Sequence, residues 1–146
     1  KSLCDLKPKD AEFIKSNLQN KEMRRALYVS AEQDRVNQAV KAIKKGSIKD
    51  LGALILKTHD GLSKLYEVST AELDILVEEA MNMDGVMGVC MIGTGFGGGV
   101  LMFLKKTEVE NVIENLYAKY KEKTRRDADV YIVKPSNGTR ILPIEE

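Results

Sequence analysis

At 146 residues, 43% hydrophobic and 31% charged, the chain has the length and balance of one globular domain able to bury a core. A formal net charge of +1 excludes a strong global field for nucleic acid or an acidic membrane, and short basic pairs such as Lys44-Lys45 and Arg125-Arg126 read as solvated surface. Cys4 and Cys90 are too few for a disulfide framework, His59 has no partner at metal-ligand spacing, and no apolar run is long enough to span a bilayer, which together suggest a reducing, cytoplasmic setting with no metal site.

Residues 1–84 read as mainly helical. Asp10 is placed to cap AEFIKSNLQ, where Ala11, Ile14 and Leu18 repeat at helical spacing. A longer helix is predicted from Asn20 to Lys45, with Met23, Ala26, Leu27, Val29, Val36, Ala39, Val40 and Ile43 as its apolar stripe and Gly46 as its stop. Ser47 precedes a third helical pattern, in which Ile48, Leu51, Leu54, Ile55 and Leu62 recur on one face. Ser69 and Glu72 then form an S-x-x-E capping box that opens TAELDILVEEAMN.

After Asp84-Gly85 the period changes. VMGVCMI reads as a strand, MIGTGFGGGV supplies a glycine-dense loop, and VLMFLKK reads as a second strand. Another helix is predicted over EVENVIENLYAKYKEKT, with Val109, Val112, Ile113, Leu116 and Tyr120 facing inward. A third strand is expected at Asp129–Lys134 (DVYIVK), followed by a Pro-Ser-Asn-Gly turn and a short edge strand in TRILPI. Residues 85–146 are thus β-glycine loop-β-α-β. The order implies an α+β domain spanning 1–146, an antiparallel sheet with helices on one face and a split βαβ arrangement of ferredoxin-like type.

A glycine-dense turn between strands permits positive φ and lets another surface come close to the main chain. Its N–H groups suit an anion such as a phosphate, while a tight hairpin packed on a neighbouring domain is the alternative. The spacing is neither the G-x-x-x-x-G-K-[ST] phosphate loop nor a dinucleotide fingerprint, because a strand follows it. His59 and Tyr66 read as structural contacts, Glu32 and Arg35 as an i, i+3 ion pair, and Cys90 as a small apolar strand residue.

Several stretches resemble one family in its own order. MIGTGFGGG is similar to the third conserved motif of the GHMP sugar kinases, close to M-T-G-G-G-F-G-G in galactokinases. RALYVSAEQDRV (25–36) resembles RALYV-x-x-E-x-x-RV, and THDGLSKLYEVSTAELDILV (58–77) resembles H-x-S-L-x-x-x-Y-x-V-S-x-x-E-L-D-x-L-V. YKEKTRRDADVYIVKPSNG (120–138) is similar to the terminal Y-x-x-x-T-x-x-x-x-x-x-Y-x-x-x-P-S-x-G.

The resemblance implies the C-terminal domain of a galactokinase-like kinase that transfers the ATP γ-phosphoryl group to the C1 hydroxyl of galactose or a related sugar. It implies ATP and Mg²⁺ as cofactors, bound mainly by an N-terminal domain that would be this chain's chief partner. No segment here resembles the sugar-binding, catalytic-aspartate or main phosphate-loop motifs, and the chain opens on Lys1 rather than methionine. A piece of a longer polypeptide, inert alone and without a catalytic residue of its own, is therefore expected. Gly93, Thr94, Gly95, Phe96, Gly97 and Gly98 are the candidate nucleotide-side residues, with Phe96 packing beneath the loop or toward the other domain.

Three departures bear on activity. Cys90 stands where the family commonly has a basic residue, Ile92 where it has Thr or Ser, and Thr94 where it has Gly or Ala. Loss of a charged hydrogen bond costs about 1.5–3 kcal/mol, roughly tenfold to a hundredfold in rate if felt in the transition state. The alternatives are a non-catalytic sugar and nucleotide sensor, a divergent GHMP kinase for another sugar, or a free-standing ferredoxin-like interaction domain.

Overall fold

In the computed structural model, which describes residues 2–139, every helical pattern of the first half forms a helix. These are α1 (Ala11–Asn17), α2 (Asn20–Lys44), α3 (Ile48–Gly61) and α4 (Ala71–Met81). Gly46 ends α2 at φ +67°, and Ser47 N–H donates to Ala42 O while Gly46 N–H donates to Ile43 O. This pairing satisfies carbonyls that the helix end would otherwise leave open.

Two expected caps are placed differently. Asp10 occupies the N-cap position of α1, but its carboxylate accepts Lys7 N–H rather than an amide of the helix. At α4 the cap is Thr70, whose hydroxyl accepts Leu73 N–H at 3.4 Å, and Ser69 Oγ donates instead to Asp74. The α2 stripe is also only partly inside. Of its members only Ala26 is buried, with Tyr28 and Ala42 buried from outside the stripe, whereas Val36, Val40 and Ile43 stay 44–62% exposed. Ala42 at that end is buried, so the exposed Val36, Val40 and Ile43 mark a face of the helix rather than an uncovered end.

β1 (Val86–Ile92) and β2 (Gly99–Leu104) form an antiparallel pair, with Val89 opposite Met102 and Met91 opposite Val100. A register shift between Val86 and Gly88 leaves Met87 as an extra residue. Val89 packs with Val77 and Ala80 of α4 and with Leu116 of α5 (Val109–Thr124), and Val100 and Met102 join from the sheet. Burial of each of Val77, Val89 and Leu116 contributes about 1.5–3 kcal/mol. Glu79 ties α4 to α5 through Lys119 at 3.3 Å and Lys123, and the Lys123 hydrogen bond holds its carboxyl below the usual range.

α3 lies directly against β1. A Cβ on Gly52 would stand 1.8 Å from Met87 O, and one on Gly88 would stand 2.9 Å from Gly52 Cα. Glycine facing glycine thus brings helix and strand backbones into contact.

The third strand expected at Asp129–Lys134 does not form. From 126 to 138 the described chain has neither helix nor strand, and Tyr131 and Ile132 are 79% and 73% exposed. The β-branched alternation is real, but a strand exists only when an edge accepts its ladder. The split βαβ is represented here by β1, loop, β2 and α5. The fold class stands as α+β, a two-stranded antiparallel sheet in a mostly helical chain. TRILPI lies, apart from residue 139, outside the described residues. No described helix is long and apolar enough to cross a membrane.

Candidate functional site

The glycine loop joins β1 to β2 with a run of left-handed backbone. Gly93, Gly95, Gly97 and Gly98 have φ of +86°, +90°, +137° and +94°, and Phe96 joins them at +61°. Thr94 alone among residues 93–98 keeps an ordinary negative φ, so its Cβ introduces no strain. Phe96 tolerates a costly conformation because its N–H donates to Val68 O at 2.7 Å. Its ring is 76% exposed, so it does not pack beneath the loop. Gly95 makes that anchor possible, because a Cβ there would meet Val68 O at 2.4 Å.

Among the described residues, the amides of Gly93, Thr94, Gly95, Gly97 and Gly98 meet no protein acceptor. They are free to donate to water or to an anion. Ile92, at the mouth of the loop, presents an apolar side chain that is 49% exposed.

The segment supporting the loop has its own strain. A widened π turn at Leu62–Tyr66 leads to Glu67 at φ +61°, held by an ion pair from Arg24 at 2.8 Å. Val68 N–H closes the turn on Leu62 O at 3.0 Å. Tyr66 packs against Tyr28 with ring centroids 5.3 Å apart, and Arg25 stands over its ring. Tyr66 is therefore the half-buried structural tyrosine that the sequence suggested. The Glu32–Arg35 pair forms as expected, and Thr58 Oγ1 adds a hydrogen bond to Glu32.

His59 is 4% exposed and sits behind the start of the loop. Its Nδ1 accepts Met91 N–H at 3.3 Å, and its Nε2 lies 3.2 Å from Asp74 Oδ1. Nδ1 is thus the acceptor nitrogen of the ring, and Nε2 is the one that faces the Asp74 carboxylate. Sequence reading found His59 but not Asp74, which lies fifteen positions on and across the π turn.

Cys90 is half-buried beside Tyr28 and Arg35. Burial pushes its thiol up to about 11 and the Tyr28 hydroxyl up to about 12, with the Arg35 charge opposing both. A concavity of about 200 Å³ between α2 and α3, lined by Asp34, Arg35, Leu54 and Lys57 among others, is smaller than the roughly 300–1,000 Å³ of ligand pockets. The described residues contain no group of three His, Cys, Asp or Glu able to hold a metal ion.

With this geometry in hand, the comparisons fall in one direction. Residues 39–122 match the family model described as GHMP kinases C terminal. The chain is 34% identical over 138 residues to a galactokinase of Clostridium perfringens, covering 94% of this chain and 36% of that protein. It is 38% identical over 120 residues to a galactokinase of Limosilactobacillus reuteri, covering 82% of this chain and 31% of the relative. Its fold superposes on the crystal structure of Lactococcus lactis galactokinase complexed with galactose at a TM-score of 0.82 and 30% identity, across 90% of this chain and 34% of that one. The chain spans about a third of the length of the relatives it matches.

Proposed function

This chain belongs to the GHMP kinases, in the family of their C-terminal domain, and from that premise we propose that it is the C-terminal part of a galactokinase-like, ATP-dependent sugar kinase. The observation that carries the reading is similarity to galactokinases along 94% of the chain, joined to a loop whose amides meet no acceptor among the described residues. The parent reaction transfers the ATP γ-phosphoryl group to the C1 hydroxyl of galactose.

Phosphoryl transfer depends mainly on positioning and on stabilising charge spread over the phosphoryl oxygens. In this proposal the free amides of Gly93, Thr94, Gly95, Gly97 and Gly98 form one wall of the phosphate site, across a cleft from an N-terminal domain of the same polypeptide. Backbone donors suit that role, since they are fixed by the fold and carry no proton to lose. In the same proposal an N-terminal part, to which the family resemblance assigns the sugar-binding and catalytic motifs, holds Mg²⁺, the sugar and the catalytic base. Mg²⁺ would neutralise phosphate charge there. The chain alone is then inert, and the parent acts in the cytoplasm where ATP is supplied.

The exposed apolar side chains at Val130–Val133 support a partner domain, because an extended segment of this composition suits an added strand. A second reading, a sensor or a weakened kinase, is favoured by Ile92. It puts a half-exposed apolar group where the resembled family places a hydroxyl. Thr94 no longer adds to that doubt, given its ordinary φ.

The test is a coupled ATP-consumption assay with galactose on the intact polypeptide that carries this chain. Turnover of about 1–100 s⁻¹ is expected for the kinase, with none from residues 1–146 alone. Sugar and nucleotide binding without turnover would select the sensor reading, and binding of neither would overturn both.

A further inference from the structure

The glycine loop is held at two points, and both lead to one carboxylate. At its start, Met91 N–H donates to His59 Nδ1 at 3.3 Å, which fixes the end of β1 two residues before Gly93. At its middle, Phe96 N–H donates to Val68 O at 2.7 Å. Behind the first anchor, Asp74 Oδ1 lies 3.2 Å from His59 Nε2. Beside the second, Ser69 Oγ donates to the same Oδ1 at 2.6 Å, tethering the residue that follows Val68. Ser63 Oγ donates to Oδ2 at 2.9 Å, which ties in the π turn as well.

A neutral imidazole has one donor and one acceptor nitrogen. An acceptor facing Nε2 therefore keeps the proton there and leaves Nδ1 free to receive Met91 N–H. Without that acceptor the other tautomer becomes available, and it would aim N–H at N–H. Ser69 works through geometry instead, since its tether sets the direction of the Val68 carbonyl. We propose that Asp74 is the positioning residue of the glycine loop, holding the Met91 anchor through His59 and the Phe96 anchor through Ser69. Its consequence for catalysis rests on the phosphate-side reading given above; the anchoring itself does not.

Amide hydrogen exchange by NMR on this chain, without nucleotide, tests the anchoring. Asp74→Ala should speed exchange at both Met91 and Phe96 by tenfold or more while Leu116 in α5 keeps its protection. Ser69→Ala should speed Phe96 and spare Met91. Asp74→Asn should restore both, because its carbonyl oxygen accepts from Nε2 and Ser69 while its amide donates to Ser63. A Phe96 amide unprotected in the unmodified chain overturns the proposal. So does equal acceleration of Met91, Phe96 and Leu116 in Asp74→Ala, which would report general unfolding. Should Asp74→Ala fail to fold, Ser69→Ala decides alone, and an unchanged Phe96 rate counts against the hub. In the intact polypeptide, Asp74→Ala should raise the KM for ATP about tenfold and leave that for galactose unchanged. The exchange pattern without that KM change would keep the anchor and remove the loop from the phosphate side.

Discussion

Cys90 shows how placement alters the meaning of a residue. In the sequence it marks a missing basic group; in the fold it is a half-buried thiol raised to about 11 from an ordinary 9.0, chiefly by burial. At neutral pH such a thiol stays protonated, and only the thiolate reacts. In a Cys4→Ser background, modification of Cys90 by a disulfide reagent should be slow when folded, rise with pH toward about 11, and accelerate on denaturation. Complete modification within minutes at pH 8 in the folded chain would contradict this. The glycines of the loop were legible because positive φ leaves a compositional mark. The His59–Asp74 contact was not, since two residues meeting across a turn leave no local period.

Among the elements, α1 to α5 and both strands were readable from periodicity, and two misreadings share a cause. DVYIVK alternates as a strand should, and Val36, Val40 and Ile43 recur as a buried helix face should. Both stay exposed, because a pattern specifies what a segment would bury and not whether a neighbour is there to bury it. The contact of α3 with β1 escaped notice for the opposite reason. Gly52 was silent in a hydrophobic pattern, yet it is where the helix backbone meets the strand with no room for a Cβ. Gly52→Ala would set a methyl 1.8 Å from Met87 O. Since backbone lies on both sides, the cost should reach or exceed the upper part of the usual overpacking range, about 3 kcal/mol. Urea unfolding would measure it, and a loss under about 1 kcal/mol would mean that α3 can slide away freely.

For the molecule as a whole, the sequence motifs identified the family, and the chain's share of its relatives is about a third. The apolar surface at Val130–Val133 and along one face of α2 is what a separated part would show. Residues 1–146 alone should therefore associate with rising concentration in light scattering. The intact polypeptide at the same concentration should not. A strictly monomeric isolated chain would remove this account of the exposed faces.

The backbone contact at Gly52 and Gly88 has a mechanical side. Between most helices and strands lies a layer of side chains that can change rotamer and absorb a small displacement. At Gly52 and Gly88 that layer is missing, and at the other end of α3 a Cβ on Gly61 would run into the Tyr28 ring at 2.5 Å. The helix is therefore a stiff strut between α2 and the strand that carries the loop. Through these two contacts α2 and the strand that carries the loop share one helix, so a Gly61→Ala change that pushes the Tyr28 ring is expected to disturb the Met91 amide as well.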